Sequence, residues 1–280
     1  MTRATAVLEP TAPELSLAAT FTERGYAVLR GVLSAGEVER VRALCAEGLT
    51  GTGEMEMLSS QFLAVPELAA IPLRERVVAA VRELLGDDVS LYPNFTARKN
   101  VYVPWHVDDT FVGPGREYAW EPDFIHLQAG LYLQANTAET GGGVDVIRGS
   151  HLMSFDGYGR VTPEFEVANW TLGRSSLRET VDTRAGDLLL WHGRLMHAST
   201  PVERAPDLEK YGVFFSYGRH HLRDNSRFLC NLVANRVRTM NGHTGVIPRL
   251  AEIPRMRYPA SFPETFVDAV RTAGVHVAVL

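Results

Sequence analysis

From about residue 88 to residue 218 the sequence holds no helical period. Apolar, β-branched and aromatic runs alternate with Gly, Pro, Asn and Asp: VSLYPNFTA, FIHLQAGLYLQ, GVDVI, GDLLLWH and YGVFFSYG. Several short strands at loose intervals, with long insertions between them, point to a double-sheet antiparallel sandwich or jelly roll. The expected fold is mainly β with flanking helices.

The flanks read differently. Ser34 and Glu37 form a capping-box pattern at the head of LSAGEVERVRALCAEGLTG, where Val38, Val41, Leu44 and Cys45 share one face and Gly48 is placed to end the helix. GYAVLRGVL before it has the look of a strand. PLRERVVAAVRELLG predicts a second helix with Pro72 in its first turn and Gly86 at its close, and residues 263 to 274 a third. These segments divide the chain into a mobile tail over residues 1–15 and one domain over 16–280. That domain has a helical buttress at about 34–86, a jelly-roll core at about 88–218 and a C-terminal extension at 219–280. No internal repeat or low-complexity linker interrupts it.

Composition excludes several classes. With 45% hydrophobic and 22% charged residues, 280 residues suffice for a full core. A net charge of −5, with acids and bases interspersed, is not that of a nucleic-acid binder or a membrane-surface protein. Cys45 and Cys230 make no disulfide framework, so a reduced, cytoplasmic setting is expected. The first residues have Arg3 but no sustained apolar run, which fits neither a signal peptide nor a membrane span. No obligate protein partner is implied.

Within the β region, PWHVDDTF carries His106 and Asp108 two residues apart. On an extended segment they face one side, so an imidazole and a carboxylate can converge on one point. With His197, in GDLLLWHGRLMHASTPVE, they make a two-histidine, one-carboxylate set, which leaves three adjacent positions of a metal open, the arrangement of non-haem Fe(II) oxygenases. The competing reading of His106 and Asp108 is a polar loop with an Asx-turn. His192, five residues before His197, would face the opposite side of a strand. His151 reads as a turn residue bonded to backbone, His220 and His221 as rim residues, and His126 as packed against aromatics or facing the cavity.

Taken in order, WHVDD, AETGGGVDVIRGSH and GDLLLWHGRLMHAST resemble the phytanoyl-CoA dioxygenase-like family of Fe(II)- and 2-oxoglutarate-dependent oxygenases. The resemblance covers roughly residues 20 to 220, and its most specific part is Gly149-Ser150-His151 between the two ligand segments. It implies a double-stranded β-helix, Fe(II), 2-oxoglutarate and dioxygen, with His106, Asp108 and His197 as iron ligands and catalytic residues. Relatives that halogenate have a small residue where Asp108 stands, so a carboxylate implies hydroxylation or another oxidative outcome, such as desaturation or ring closure, at an unactivated carbon.

The far carboxylate of 2-oxoglutarate needs a buried cation. The family's usual Arg, about ten residues past the distal His at the next strand start, is missing: the eleventh residue after His197 is Leu208. Lys210, at the head of the next strand, is the leading substitute; Arg204, in the preceding loop, is the second; Arg219 lies too far along. The long aromatic connection TFVGPGREYAWEPDFIHL offers Phe111, Tyr118, Trp120 and Phe124 as a lid or pocket wall, with loop-core packing as the alternative for each. Arg116 or Arg160 could meet an acidic substrate group, and Trp105 is expected to pack beside the ligand. Gly-, Pro- and aromatic-rich loops fit a small organic substrate, such as a secondary metabolite or amino acid derivative. Two other readings stay open: a cupin-type metalloenzyme without 2-oxoglutarate, and a non-catalytic sandwich that binds a small ligand.

Overall fold

The computed structural model describes residues 15–50, 55–103, 105–108, 117–121, 123–152, 176–202, 208–219 and 262–277. Residues 1–14 of the proposed 1–15 tail lie outside these, as do Cys230, His220, His221, Arg116 and Arg160. Among the described residues nine strands form two sheets. They are β1 Tyr26–Leu29, β2 Val89–Lys99, β3 His126–Tyr132, β4 Val144–Ile147, β5 Arg178–Val181, β6 Leu188–His192, β7 His197–Ser199, β8 Tyr211–Arg219 and β9 His276–Val277. The large sheet has the order β1-β6-β3-β8-β2-β9 and the small one β5-β4-β7. The large sheet therefore recruits a strand from each flank of the 88–218 region, β1 from before it and β9 from after it.

Period-two alternation assigns the two faces of the large sheet. Leu127, Ala129 and Leu131 of β3, Leu188 and Leu190 of β6, and Val213, Phe215 and Tyr217 of β8 point outward into the main core. There they meet α2 Ala35–Leu49, α3 Ser59–Leu63, α5 Glu75–Leu85 and α6 Glu264–Thr272 through Val41, Cys45, Phe62, Val77, Val81 and Phe266. Phe95 joins this layer by stacking on Phe62, ring centroids 5.6 Å apart, and meeting Phe266 edge-on. The other face of the sheet looks toward the small sheet. Trp191, Leu189, Tyr132 and Tyr26 pack there against Val144, Val146 and Val181. No described helix is long and apolar enough to cross a membrane.

Local chemistry accounts for most helix ends. Ser34 accepts from the Glu37 amide, and the Glu37 carboxylate accepts from the Ser34 amide, the reciprocal pair of a capping box. Two expectations need correction. The helix begun at Ala35 runs through Gly48 to Leu49, and a Cβ at Gly48 would meet the end of the Met57 side chain: the glycine gives close packing, not termination. Pro72 lies in a separate 3-10 turn, Ile71–Leu73, and α5 starts only at Glu75, after Arg74 in an extended conformation. Three short helices, α1 Leu17–Arg24, α3 and α4 Pro66–Ala69, escaped the periodicity because each is about two turns or fewer.

Candidate metal centre

Two extended segments bring the site together. His106 and His197 sit directly opposite one another, each amide donating to the other's carbonyl at 2.9 Å. Ser199 donates to the Val103 carbonyl at 2.9 Å, so the chain before His106 runs beside β7 and extends the small sheet by one partner. Directly paired residues have neighbouring side chains on one face, and the two imidazole centroids are 4.2 Å apart. Asp108, two residues beyond His106, joins them: one ligand atom from each of the three lies within 4.8 Å of the others. Asp108 Oδ1 is 3.7 Å from His106 Nε2, and Oδ2 is 3.9 Å from His197 Nε2.

Supporting bonds orient each ligand. Nδ1 of His197 is 2.9 Å from the Leu195 carbonyl, which selects the tautomer with Nδ1 protonated and leaves the Nε2 lone pair for a metal. The Met196 amide, one residue before it, donates to Ser150 Oγ at 2.8 Å. Gly149, at φ 75°, turns the chain so that Ser150 can reach, which gives the Gly149-Ser150 pair a physical task. Trp191 Nε1 donates to Asp108 Oδ2 at 3.0 Å. Burial, together with the nearby His106, pushes the His197 imidazole down to about 4, so it is neutral at neutral pH. Burial resists ionisation of Asp108, but the flanking His197 and His106 outweigh it and hold the carboxyl well below the usual carboxylate range. Asp108 is thus held as a carboxylate and His197 as a neutral imidazole, the forms in which they can bind a divalent metal.

The triad opens on a cavity of about 110 Å³ between the two sheets. Strand register orders the inner face of the large sheet beneath it into three bands, of which Trp191, Gln128, Phe214, Tyr132 and Arg98 line the cavity. Nearest the triad, Trp191, Gln128 and Ser216 are partners across β6, β3 and β8, and Ser216 Oγ donates to Asn94 at 2.8 Å. The next band is Leu189, Gly130 and Phe214. The last joins Tyr132, Gly212 and Arg98. Arg98 donates twice to Glu56 Oε1, at 3.1 and 3.0 Å, and lies over the Phe214 ring.

Beside this last band is a smaller cavity of about 30 Å³, sharing Arg98, Val101, Tyr132, Gly142 and Phe214 with the first and lined also by Lys210. Lys210 immediately precedes β8. Its amide donates to Asn100 Oδ1 at 2.8 Å, and its carbonyl accepts from the Asn100 amide. Its side chain is 4% exposed, and its buried Nζ has no hydrogen-bond partner. Burial, then the charge of Arg42, lowers its pKa.

The other proposed residues fall elsewhere. His192 stacks on Phe21 and neighbours His151, whose Nε2 is 3.1 Å from the Thr22 carbonyl. His126 is fully buried with its ring centroid 5.4 Å from that of Tyr92. Tyr118 and Phe124 are buried and meet edge to face at 5.5 Å, which fits the loop-packing alternative, and neither is among the described residues lining the cavity. Phe111, Arg204 and the Trp120 side chain lie outside the described residues. Arg219 is spent on the Leu85 and Asp123 carbonyls. Trp105 packs under the Arg178 guanidinium. Three cavity groups escaped the sequence reading, Arg98, Gln128 and Trp191. The signal for them is alternation: each occupies the inward parity of a strand whose outward parity is apolar.

A family model described as phytanoyl-CoA dioxygenase (PhyH) matches residues 21–203. A search of curated proteins returned no match. Among solved structures, the chain is similar to the non-heme alpha ketoglutarate dependent epimerase SnoN from nogalamycin biosynthesis, at 24% identity and a TM-score of 0.56, over 72% of this chain and 79% of that one. HygX from Streptomyces hygroscopicus matches at 20% identity and 0.57, over 74% and 88%. EctD from S. alaskensis, solved with 2-oxoglutarate and 5-hydroxyectoine, matches at 21% and 0.57, over 76% and 78%. These likenesses identify the two opposed sheets as the double-stranded β-helix.

Proposed function

Because the chain belongs to the phytanoyl-CoA dioxygenase (PhyH) family, we propose that it is an Fe(II)- and 2-oxoglutarate-dependent oxygenase. It oxidises an unactivated carbon of a small organic molecule by hydroxylation, or by desaturation or ring closure. The observation that carries this is the convergence of His106, Asp108 and His197 within 4.8 Å at the mouth of an inter-sheet cavity. These three hold the iron; Asp108 supplies the one negative charge and the histidines neutral nitrogen donors. Iron with bound 2-oxoglutarate supplies the activation of dioxygen and the abstraction of hydrogen from substrate carbon.

The chain's own residues bind, orient and exclude water. Lys210 fits the far carboxylate of the cosubstrate: an ammonium buried without a counter-ion is a costly feature in a structure that gives it no task. Its neighbour Arg98 is already paired with Glu56, so of the two cations among the described residues lining the small cavity Lys210 is the one without a counter-ion. A lysine offers a point charge where the family's usual arginine offers a fork, and a carboxylate accepts either. Phe214, which lines both cavities, lies by register between the Trp191 and Arg98 bands and offers an apolar wall along the length of the cosubstrate. A metalloenzyme without 2-oxoglutarate would leave Lys210 unexplained.

The test is anaerobic titration of the apo-protein with Fe(II) and 2-oxoglutarate, followed by substrate screening by mass. A visible charge-transfer band that needs both components, and a product heavier by one oxygen or lighter by two hydrogens, are the expected results. Absence of the band, or its survival in His106→Ala, rejects the assignment.

A further inference from the structure

Trp191 is the one described residue that donates a hydrogen bond to a member of the triad from the floor of the large sheet. We propose that Trp191 is a positioning residue: its indole N–H holds Asp108 so that the carboxylate meets the metal through a single oxygen. The role rests on the metal-centre reading above and adds what keeps that centre open.

A carboxylate has two oxygens and can bind a cation through one or both. A bidentate Asp108 would occupy one of the positions that cosubstrate and dioxygen need. The indole N–H is a donor only, so it can neither ligate the metal nor exchange roles with the carboxylate. It engages Oδ2, which stands 3.9 Å from His197 Nε2, at 3.0 Å, and leaves Oδ1, 3.7 Å from His106 Nε2, without a bond from the indole; the donor thus makes the two oxygens unequal.

The sheet determines where that N–H stands. Trp191 is paired on one side with Tyr26 of β1 and on the other with Gln128 of β3. Its ring, on the cavity face, lies with its centroid 5.4 Å from that of His197. Gly130 makes the room: a Cβ there would be 3.1 Å from Trp191 Cζ3 and 3.0 Å from Phe214. Glycine weakens a strand interior, and the large ring that fills the vacated space accounts for its presence here. The arrangement couples strand register to carboxylate geometry.

Two substitutions separate the hydrogen bond from the packing. Trp191→Phe keeps a ring and removes the donor; Trp191→Gln removes the ring and keeps an N–H at similar reach. Co(II) is titrated anaerobically into apo wild type, both variants and His106→Ala, with affinity and the visible Co(II) spectrum as readouts and circular dichroism as the check on folding. The role predicts a 10–100-fold loss of Co(II) affinity and an altered spectrum in Trp191→Phe, the size typical of lost outer partners. It predicts partial recovery in Trp191→Gln. Replacing tryptophan biosynthetically by its benzothienyl analogue, which has sulfur in place of N–H and nearly the same shape, gives the same comparison should Phe fail to fold. Affinity within twofold of wild type and an unchanged spectrum in Trp191→Phe or the analogue, or a Gln variant weaker than Phe, would overturn it. Tight Co(II) binding that persists in His106→Ala would overturn the metal centre itself, and this role with it.

Discussion

The aliphatic stem of Lys210 runs across Gly142, where a Cβ would stand 2.7 Å from Lys210 Cγ and 2.8 Å from Cδ. The contact threads a charged side chain past the backbone into the small cavity beside the candidate metal centre. It explains the middle glycine of the Gly141-Gly142-Gly143 run, which also takes φ 76°, a conformation that L side chains rarely adopt.

Gly142→Ala should therefore displace the ammonium without changing any charge. The expected outcome is a KM for 2-oxoglutarate raised about tenfold or more, the worth of a charge-assisted hydrogen bond, with metal affinity at the triad unchanged. Steady-state kinetics across cosubstrate concentrations, beside a metal titration, measures both.

Lys210→Met separates function from stability. The buried ammonium has no partner, so removing its charge should raise the melting temperature of the apo-protein or leave it unchanged. Cosubstrate binding should fall at least tenfold. Thermal melts with and without 2-oxoglutarate give the comparison; a clear drop in apo stability would mean that the ammonium has a stabilising partner.

His151 should make the fold acid-sensitive. Burial pushes its imidazole down to about 4, against a bond to the Thr22 carbonyl that acts the other way. The unfolded chain, with an ordinary imidazole near 6.5, then binds the extra proton between those two values. Stability contributed by neutral His151 is full above about 6.5 and is lost as the pH falls toward 4, by about 3 kcal/mol in all. Urea melts at pH 7.5 and pH 5 should differ more for wild type than for His151→Gln.

Asp145 ties the small sheet. Buried on β4, it accepts from Arg178 at 2.7 Å and Thr180 at 2.8 Å on β5 and from Thr200 at 2.9 Å just past β7. Asp145→Ala leaves a guanidinium and two hydroxyls without their acceptor and should cost about 3 kcal/mol or more. Asp145→Asn, which keeps an acceptor, should cost less. Since β7 carries His197, metal affinity should fall with stability in the alanine variant; denaturant melts paired with Co(II) titration would reveal any uncoupling of the two.

What the sequence by itself determined is what short-range geometry determines. The capping box of Ser34 and Glu37 spans three residues, the facing of His106 and Asp108 spans two, and the strand character of the region from 88 to 218 is a matter of local period. Only the tertiary structure decided which distant residues meet. Gly48 reads as a helix stop until Met57 is seen against it, and between pocket wall and loop packing the sequence cannot choose for Tyr118 and Phe124, whose rings meet edge to face. Arg98, Gln128 and Trp191 reach the cavity because β2, β8, β3 and β6 pair in turn in one register, and a one-residue slip of a strand would turn its cavity residue away. The pairing of His197 with His106, 91 residues apart along the chain, likewise follows from sheet hydrogen bonds that no local pattern encodes. Register is settled by the sum of side-chain packing on both faces of a sheet, and that sum exists only once the strands have met.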